Sequence, residues 1–203
     1  VVYEKRNTDD AYLVTGNIKH FPVKTFIVTP REMLDINTLP FLYEDLNAFE
    51  NKIIYYESSR GCPFHCSYCL SSEDNQVRFR SVDRVKEDLK FFIAAKIPQV
   101  KFVDRTFNCN HKRMGELLQF MLENDNGVTN FHFEIGGDLL TEDEITLLKQ
   151  FRTGAVQLEI GVQSTNEVTV KEIKRTMKLE RLKESVKKIQ SFGNIHQHLD
   201  LIA

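Results

Sequence analysis

No stretch of the sequence approaches the roughly 18 consecutive apolar residues that a membrane-spanning helix needs, and neither sign of charge prevails. Lysine and arginine number 27 against 29 aspartates and glutamates, a net charge of −2. No overall field therefore draws the chain to nucleic acid or to an anionic membrane. Cysteine is scarce, with four residues, and no signal peptide is recognisable. That combination argues against the disulfide framework of a small secreted domain and reads as a cytoplasmic protein with reduced thiols. Internal repeats and low-complexity segments are also lacking. What is there suits one domain: 203 residues, 41% of them hydrophobic, enough for a sizeable core. Val1 is not an initiator, and the closing Asp200-Leu201-Ile202-Ala203 reads as mid-strand. The expectation is a portion of a longer protein, catalytically incomplete by itself.

Three of the four cysteines stand together in Ser58-Ser59-Arg60-Gly61-Cys62-Pro63-Phe64-His65-Cys66-Ser67-Tyr68-Cys69, a C-x₃-C-x₂-C pattern. They follow Ile53–Glu57, whose β-branched and aromatic residues suit a strand. Three thiolates on one loop can bind three irons of a cubic 4Fe–4S cluster and leave the fourth iron open. Electron-transfer clusters use four cysteines, so a triad implies chemistry at the bare iron. Zinc is the rival, but it takes four ligands. His65 lies between two of the cysteines and no second C-x₂-C appears.

The C-x₃-C-x-aromatic-C motif after a first strand resembles the signature of the radical S-adenosylmethionine (SAM) superfamily. The words Tyr56-Glu57-Ser58-Ser59-Arg60-Gly61-Cys62-Pro63-Phe64 resemble its branch with a cobalamin-binding domain ahead of the radical domain, which includes anaerobic magnesium-protoporphyrin monomethyl ester cyclase-like proteins. The resemblance implies a 4Fe–4S cluster on Cys62, Cys66 and Cys69. It implies SAM chelating the bare iron and cleaved by one electron to a 5′-deoxyadenosyl radical. Further implied are cobalamin in the longer protein, a flavodoxin- or ferredoxin-type one-electron donor and a small-molecule substrate.

From Lys52 onward strands and helices alternate. Strands are expected at Ile53–Glu57, Val100–Asp104, Phe131–Ile135, Val156–Gln163 and Ile195–Ile202. Helices are expected around Val82–Ile93 with Ser81 as N-cap, Met114–Leu122, and Ile145–Phe151 behind the capping box Thr141–Glu144. A last helical region runs through Leu182, Val186 and Ile189 to Gly193. Repeated βα units argue an α/β fold with a parallel sheet. The resemblance specifies an incomplete (βα)₆ partial TIM-type barrel with a short N-terminal appendage and its C-terminal strand or strands absent. Residues 1–50 would be a connector following an absent cobalamin-binding domain, and residues 51–203 the truncated radical SAM core. Within the connector, Tyr12–Gly16 and Val23–Val28 could be short strands, and Leu39–Tyr43 resembles that branch's Pro-aromatic connector.

Three strands carry a polar face: His132 and Glu134; Gln157, Glu159, Gly161 and Gln163; His196, His198 and Asp200. Dry burial of so many ionisable groups costs several kcal/mol each, so the face is expected to meet water or a polar ligand. Four positions, Glu134, Gln163, Arg175 and Asp200, resemble the SAM set of the oxygen-independent coproporphyrinogen oxidases. Of these, Arg175, placed in the helix after strand four, suits the methionine carboxylate through a bidentate fork. Asp200 and Gln163 suit the ribose, Glu134 the ammonium or ribose, and Tyr68 the adenine. Asp104, where many relatives have a Gly-Gly-Glu, is a weaker candidate for the amine. Glu159, His196 and His198 are candidates for touching substrate. Cys109 lies outside the motif, as a buried thiol or a contact near the barrel mouth. The alternatives to a C–H-attacking, cyclase-like enzyme are a cobalamin-dependent methyl or methylthio transferase, an iron–sulfur electron-transfer module and a zinc-stabilised binding module.

Overall fold

In the computed structural model, which describes residues 2–4, 11–14, 27–28, 34–49, 52–72 and 76–202, the chain divides into two units, Val1–Asp35 and Ile36–Ala203. In the first, β1 (Val2–Glu4) pairs antiparallel with β2 (Ala11–Val14), and β2 runs parallel to β3 (Ile27–Val28). The two short strands expected there fall on β2 and β3; positions 15, 16 and 23–26 of those spans lie outside the described residues.

The second unit carries the alternation. Five strands, β4 (Ile54–Tyr56), β7 (Gln99–Phe102), β8 (Asn130–Ile135), β9 (Val156–Gln163) and β10 (His196–Leu201), form one sheet in the order β4-β7-β8-β9-β10, every pair parallel. Between β4 and β7 lies a two-stranded antiparallel ribbon, β5 (Ser59–Arg60) with β6 (Arg78–Phe79). A doubly wound sheet reverses its strand order at a switch point and places helices on both faces. Here the order never reverses. α1 (Val82–Ala94), α2 (His111–Glu123), α3 (Glu142–Gln150) and α5 (Leu179–Gln190) all contribute to one apolar core with the inward residues of the strands. The other sheet face is left for a lumen, as in a partial barrel.

Local chemistry explains the boundaries. Ser81 caps α1 by accepting from Arg84 N, Asn110 caps α2 by accepting from Arg113 N, and Thr141 with Glu144 closes the expected capping box on α3. Phe92, Phe102, Phe131, Phe133, Leu117 and Met121 are fully buried. Removing one such side chain to alanine typically costs about 2–5 kcal/mol. Strand two ends earlier than expected, at Phe102, and α4 (Glu167–Glu172) stops before Arg175. Arg175, which the sequence places in a helix, instead follows the turn that closes α4. No described helix is long and apolar enough to cross a membrane.

Candidate cofactor site

The cysteine loop is sealed at its base. β5 pairs with β6, and Gly61 adopts φ +99° with its backbone pressed on Gln76, where an added Cβ would lie 2.2 Å from the carbonyl oxygen. Only glycine satisfies both demands. Inside the loop, Cys69 N donates to Cys66 O at 3.1 Å, and Ser67 N donates to Ile173 O at 2.9 Å, tying the loop to the end of α4.

That end is a Schellman closure: Arg175 N donates to Val170 O and Lys174 N to Lys171 O, with Lys174 left-handed at φ 52°. The turn aims Arg175 back at the loop. Its Nη1 lies 3.3 Å from the Tyr68 hydroxyl and 3.9 Å from Cys66 Sγ, and Nη2 donates to the Gly161 carbonyl. β9 ends irregularly beside it. The register with β10 slips between Asp200 and Leu201, and Gln163 holds φ 67°. A left-handed non-glycine residue stores strain of about 1–3 kcal/mol and is typical of ligand sites.

A cavity of about 330 Å³ joins these parts. Its walls include Cys62, Cys66, Cys69, Tyr68, Glu134, Glu159, Gln163, Arg175 and Asp200, with Arg105, Thr106 and Asp138. The structure therefore brings together residues that the sequence scatters over positions 62–200. Three of the candidates lie outside its walls. His196 and His198 are exposed on the edge strand β10, their rings 6.0 Å apart. Asp104 is 1% exposed and faces backwards: Oδ1 accepts from Ser58 N at 2.8 Å, and Oδ2 accepts from the Ser58 and Ser59 hydroxyls at 2.6 and 2.7 Å. Burial pushes its carboxyl up, and the serine hydrogen bonds pull it only partly back. Asp104 pins the start of the cysteine loop. Arg113 reinforces it, donating to Ser58 O and Arg80 O.

The sequence reading missed several supports. Thr106 Oγ1 lies 3.7 Å from Cys62 Sγ. Asn108, fully buried, exchanges two hydrogen bonds with the Gly136 backbone at 2.8 and 2.9 Å, fixing the end of β8. Lys101 Nζ donates to Glu159 Oε2 at 2.8 Å. His132 Nε2 is 3.0 Å from the same oxygen but off the line of a hydrogen bond. Burial would raise Glu159, yet Lys101 and His132 hold it below the ordinary carboxylate range. Glu134, opposite Glu159 in register, is pushed up by burial and then by Glu159's charge. Cys109 stands apart, its thiol pushed up to about 11 by burial and then by Asp104.

The donor set fits an iron–sulfur cluster and SAM. All three motif cysteines are free thiols around one cavity. Among the described residues no three Cys, His, Asp or Glu converge on a single metal ion; a cubane spreads its thiolates over three irons and needs no such convergence. Gly161 supplies a cradle, since a Cβ there would sit 2.7 Å from Gln163 Nε2 and 3.3 Å from Arg175 Nη2. Among the described residues Arg175 Nε is buried without a hydrogen-bond partner, an unused donor beside the cavity.

A parallel sheet wound in one direction, with a cysteine triad beyond its first strand and a polar lumen, defines a partial-barrel enzyme core. Residues 56–202 match the Radical SAM superfamily, and the chain belongs to it. An uncharacterized methyltransferase of Pyrococcus horikoshii is 31% identical over 100 residues, 48% of this chain and 19% of that protein. The fold resembles that of OxsB, a cobalamin-dependent SAM radical enzyme solved with aqua-cobalamin (TM-score 0.70, 16% identity, 86% of this chain and 27% of that one). It also resembles TsrM, a radical SAM methyltransferase from Kitasatospora setae solved with cobalamin and a [4Fe-4S] cluster (TM-score 0.65, 15% identity, 77% of this chain and 32% of that one). The chain thus spans about a fifth of the curated relative and about a third or less of these two structures.

Proposed function

We propose that this chain is the SAM-binding, radical-generating core of a longer cobalamin-using enzyme whose reaction is methyl transfer to a small molecule. The observation that carries the core reading is the single cavity walled by all three motif cysteines together with Glu134, Gln163, Arg175 and Asp200. When bound, the cluster supplies the electron that splits a C–S bond of SAM. The chain's own residues position the ligand. Arg175 offers a guanidinium to the methionine carboxylate, a charge-assisted contact. Asp200 and Gln163 accept from and donate to ribose hydroxyls, Glu134 faces the ammonium or ribose, and Tyr68 packs on adenine. Glu159, held ionised on the cavity floor, is left for substrate.

Methyl transfer is favoured over cyclase-like C–H oxidation because the P. horikoshii relative and TsrM are named methyltransferases. Oxidative chemistry at a C–H bond is the second reading, supported by the wording of the cysteine loop. The test is anaerobic reconstitution with iron and sulfide, then reduction in the presence of SAM and cobalamin, preferably in the longer protein. S-adenosylhomocysteine as the SAM-derived product supports methyl transfer. 5′-Deoxyadenosine without it supports C–H oxidation. A colourless protein carrying one zinc would sink both.

A further inference from the structure

We propose that Thr106 is a positioning residue for the cluster: its hydroxyl donates to the Cys62 thiolate and raises the cluster's reduction potential. The proposal rests on the cluster reading above. Thr106 Oγ1 lies 3.7 Å from Cys62 Sγ and 2.8 Å from the Arg105 carbonyl, so one hydroxyl proton faces two acceptors. In the free thiol either atom can be the donor to the other. Once Cys62 binds iron it has no proton to give, and only Thr106 can donate across that gap.

The hydroxyl is held in place from both sides. Two residues before it, Asp104 is bonded to Ser58 and Ser59, which lead into Cys62. Two residues after it, Asn108 is locked to the Gly136 backbone. Thr106 itself is 7% exposed. One buried bracket therefore fixes both the hydroxyl and the strand leading into its cysteine. The other thiolates differ. Cys66 has the Arg175 guanidinium at 3.9 Å, and Cys69 Sγ takes no side-chain donor among the described residues.

Hydrogen bonds to the sulfurs are among the factors that set the potential of an iron–sulfur cluster. A donor favours the reduced form, which carries one more negative charge, and a buried donor acts with little screening. Reduction here is uptake of one electron from an external low-potential donor, with no bond made or broken in the protein.

The experiment is a potentiometric titration of the anaerobically reconstituted chain with dithionite, followed by the reduced cluster's electron paramagnetic resonance. It is run on wild type, Thr106→Val and Thr106→Ser. All three are expected to carry the same iron. At a fixed poise Thr106→Val should show a reduced-to-oxidised ratio about tenfold lower, equivalent to about 59 mV for one electron, while Thr106→Ser stays with wild type. Equal potentials for all three overturn the proposal, as does a Thr106→Ser shift as large as that of Thr106→Val. If Thr106→Val binds no iron, Thr106→Ala is read against Thr106→Ser in the same way, and equal potentials again overturn it. A wild type that assembles no cluster defeats instead the proposed function, so the two failures are distinguishable.

Discussion

One layer of the lumen face holds Lys101, His132 and Gln157; the next, two residues further along each strand, sets Glu134 against Glu159. Lys101 and His132 both reach up to Glu159. The result is two facing carboxyls on neighbouring strands with opposite fates, Glu159 held low and Glu134 pushed high. Burial raises both carboxyls, and only at Glu159 do the partners outweigh it. His132 lies beneath, and burial followed by the charge of Lys101 holds it below its ordinary value. Lys101 and His132 with Glu159 therefore form an ionic support at the cavity floor, whereas the rim (Glu134, Arg175, Asp200 and the cysteines) faces the open cavity. Of two glutamates in one layer, Glu159 is thus tied to the support and Glu134 is left to the open cavity.

Rim variants should disturb ligand binding while leaving stability, and support variants the reverse. The largest effect is expected for Cys66→Ala, with Cys62→Ala and Cys69→Ala alike: iron should fall from about four per chain to near zero. Cys109→Ala should keep its iron. Colorimetric iron and sulfide assays check both.

Next come Arg175→Ala and Asp200→Asn. Losing a charge-assisted contact costs about 1.5–3 kcal/mol, so SAM affinity should drop roughly ten- to more than a hundredfold with iron content unchanged. Titrating SAM into reconstituted protein, followed by the cluster's spectrum, measures it. Glu159→Gln should spare SAM. A matching loss there would erase the distinction between floor and rim.

Lys101→Met should do the opposite, costing about 1 kcal/mol of stability in urea unfolding while iron and SAM binding persist. The pH dependence carries a sign. Glu159 is held below its unfolded value, so its contribution is present above the ordinary carboxylate range and is lost as pH falls through the depressed value. Lys101 is raised, chiefly by its hydrogen bond to Glu159, so its contribution is lost as pH climbs through the raised value. The gap between wild type and Lys101→Met should be widest near neutrality and close in acid. A gap that widens in acid would contradict the pairing.

The smallest effect belongs to Glu134→Gln. Ionised Glu134 is disfavoured in the fold, a penalty that sets in as pH rises through the ordinary carboxylate value. The variant should melt slightly higher than wild type at pH 7, and equal to it in acid, while binding SAM more weakly. A lower melting temperature at pH 7 would show that Glu134 serves the fold instead.

Strand alternation made part of the lumen legible: Glu134, Glu159, Gln163 and Asp200 sit at alternate polar positions in their strands and line the cavity, whereas His196 and His198, on the same alternation as Asp200, do not. Asp104 was harder to read. A carboxylate at a strand end looks the same whether it meets a ligand or two serines 46 and 45 residues earlier. Thr106 and Asn108 gave no signal, because a short polar residue after a strand reads as an ordinary turn. Arg175 was expected in a helix since nothing in Ile173-Lys174-Arg175 announces a stop; the left-handed residue is a lysine, not the usual glycine. Lys101, in a strand of four residues, offered too little alternation to assign a face.

The bracket built by Asp104 also sets an order of assembly. The serines that lead into the cysteine loop leave the ribosome 46 and 45 residues before the carboxylate that pins them, and Cys66 leaves 109 residues before Arg175. Contacts that close long stretches of chain form late, and the chain emerges N-terminal end first. During synthesis the cysteines are thus tethered only by their local ribbon, open to incoming iron and sulfide. Closure by Arg175 comes afterwards, so the arginine's approach to Cys66 is among the last contacts of the site to form.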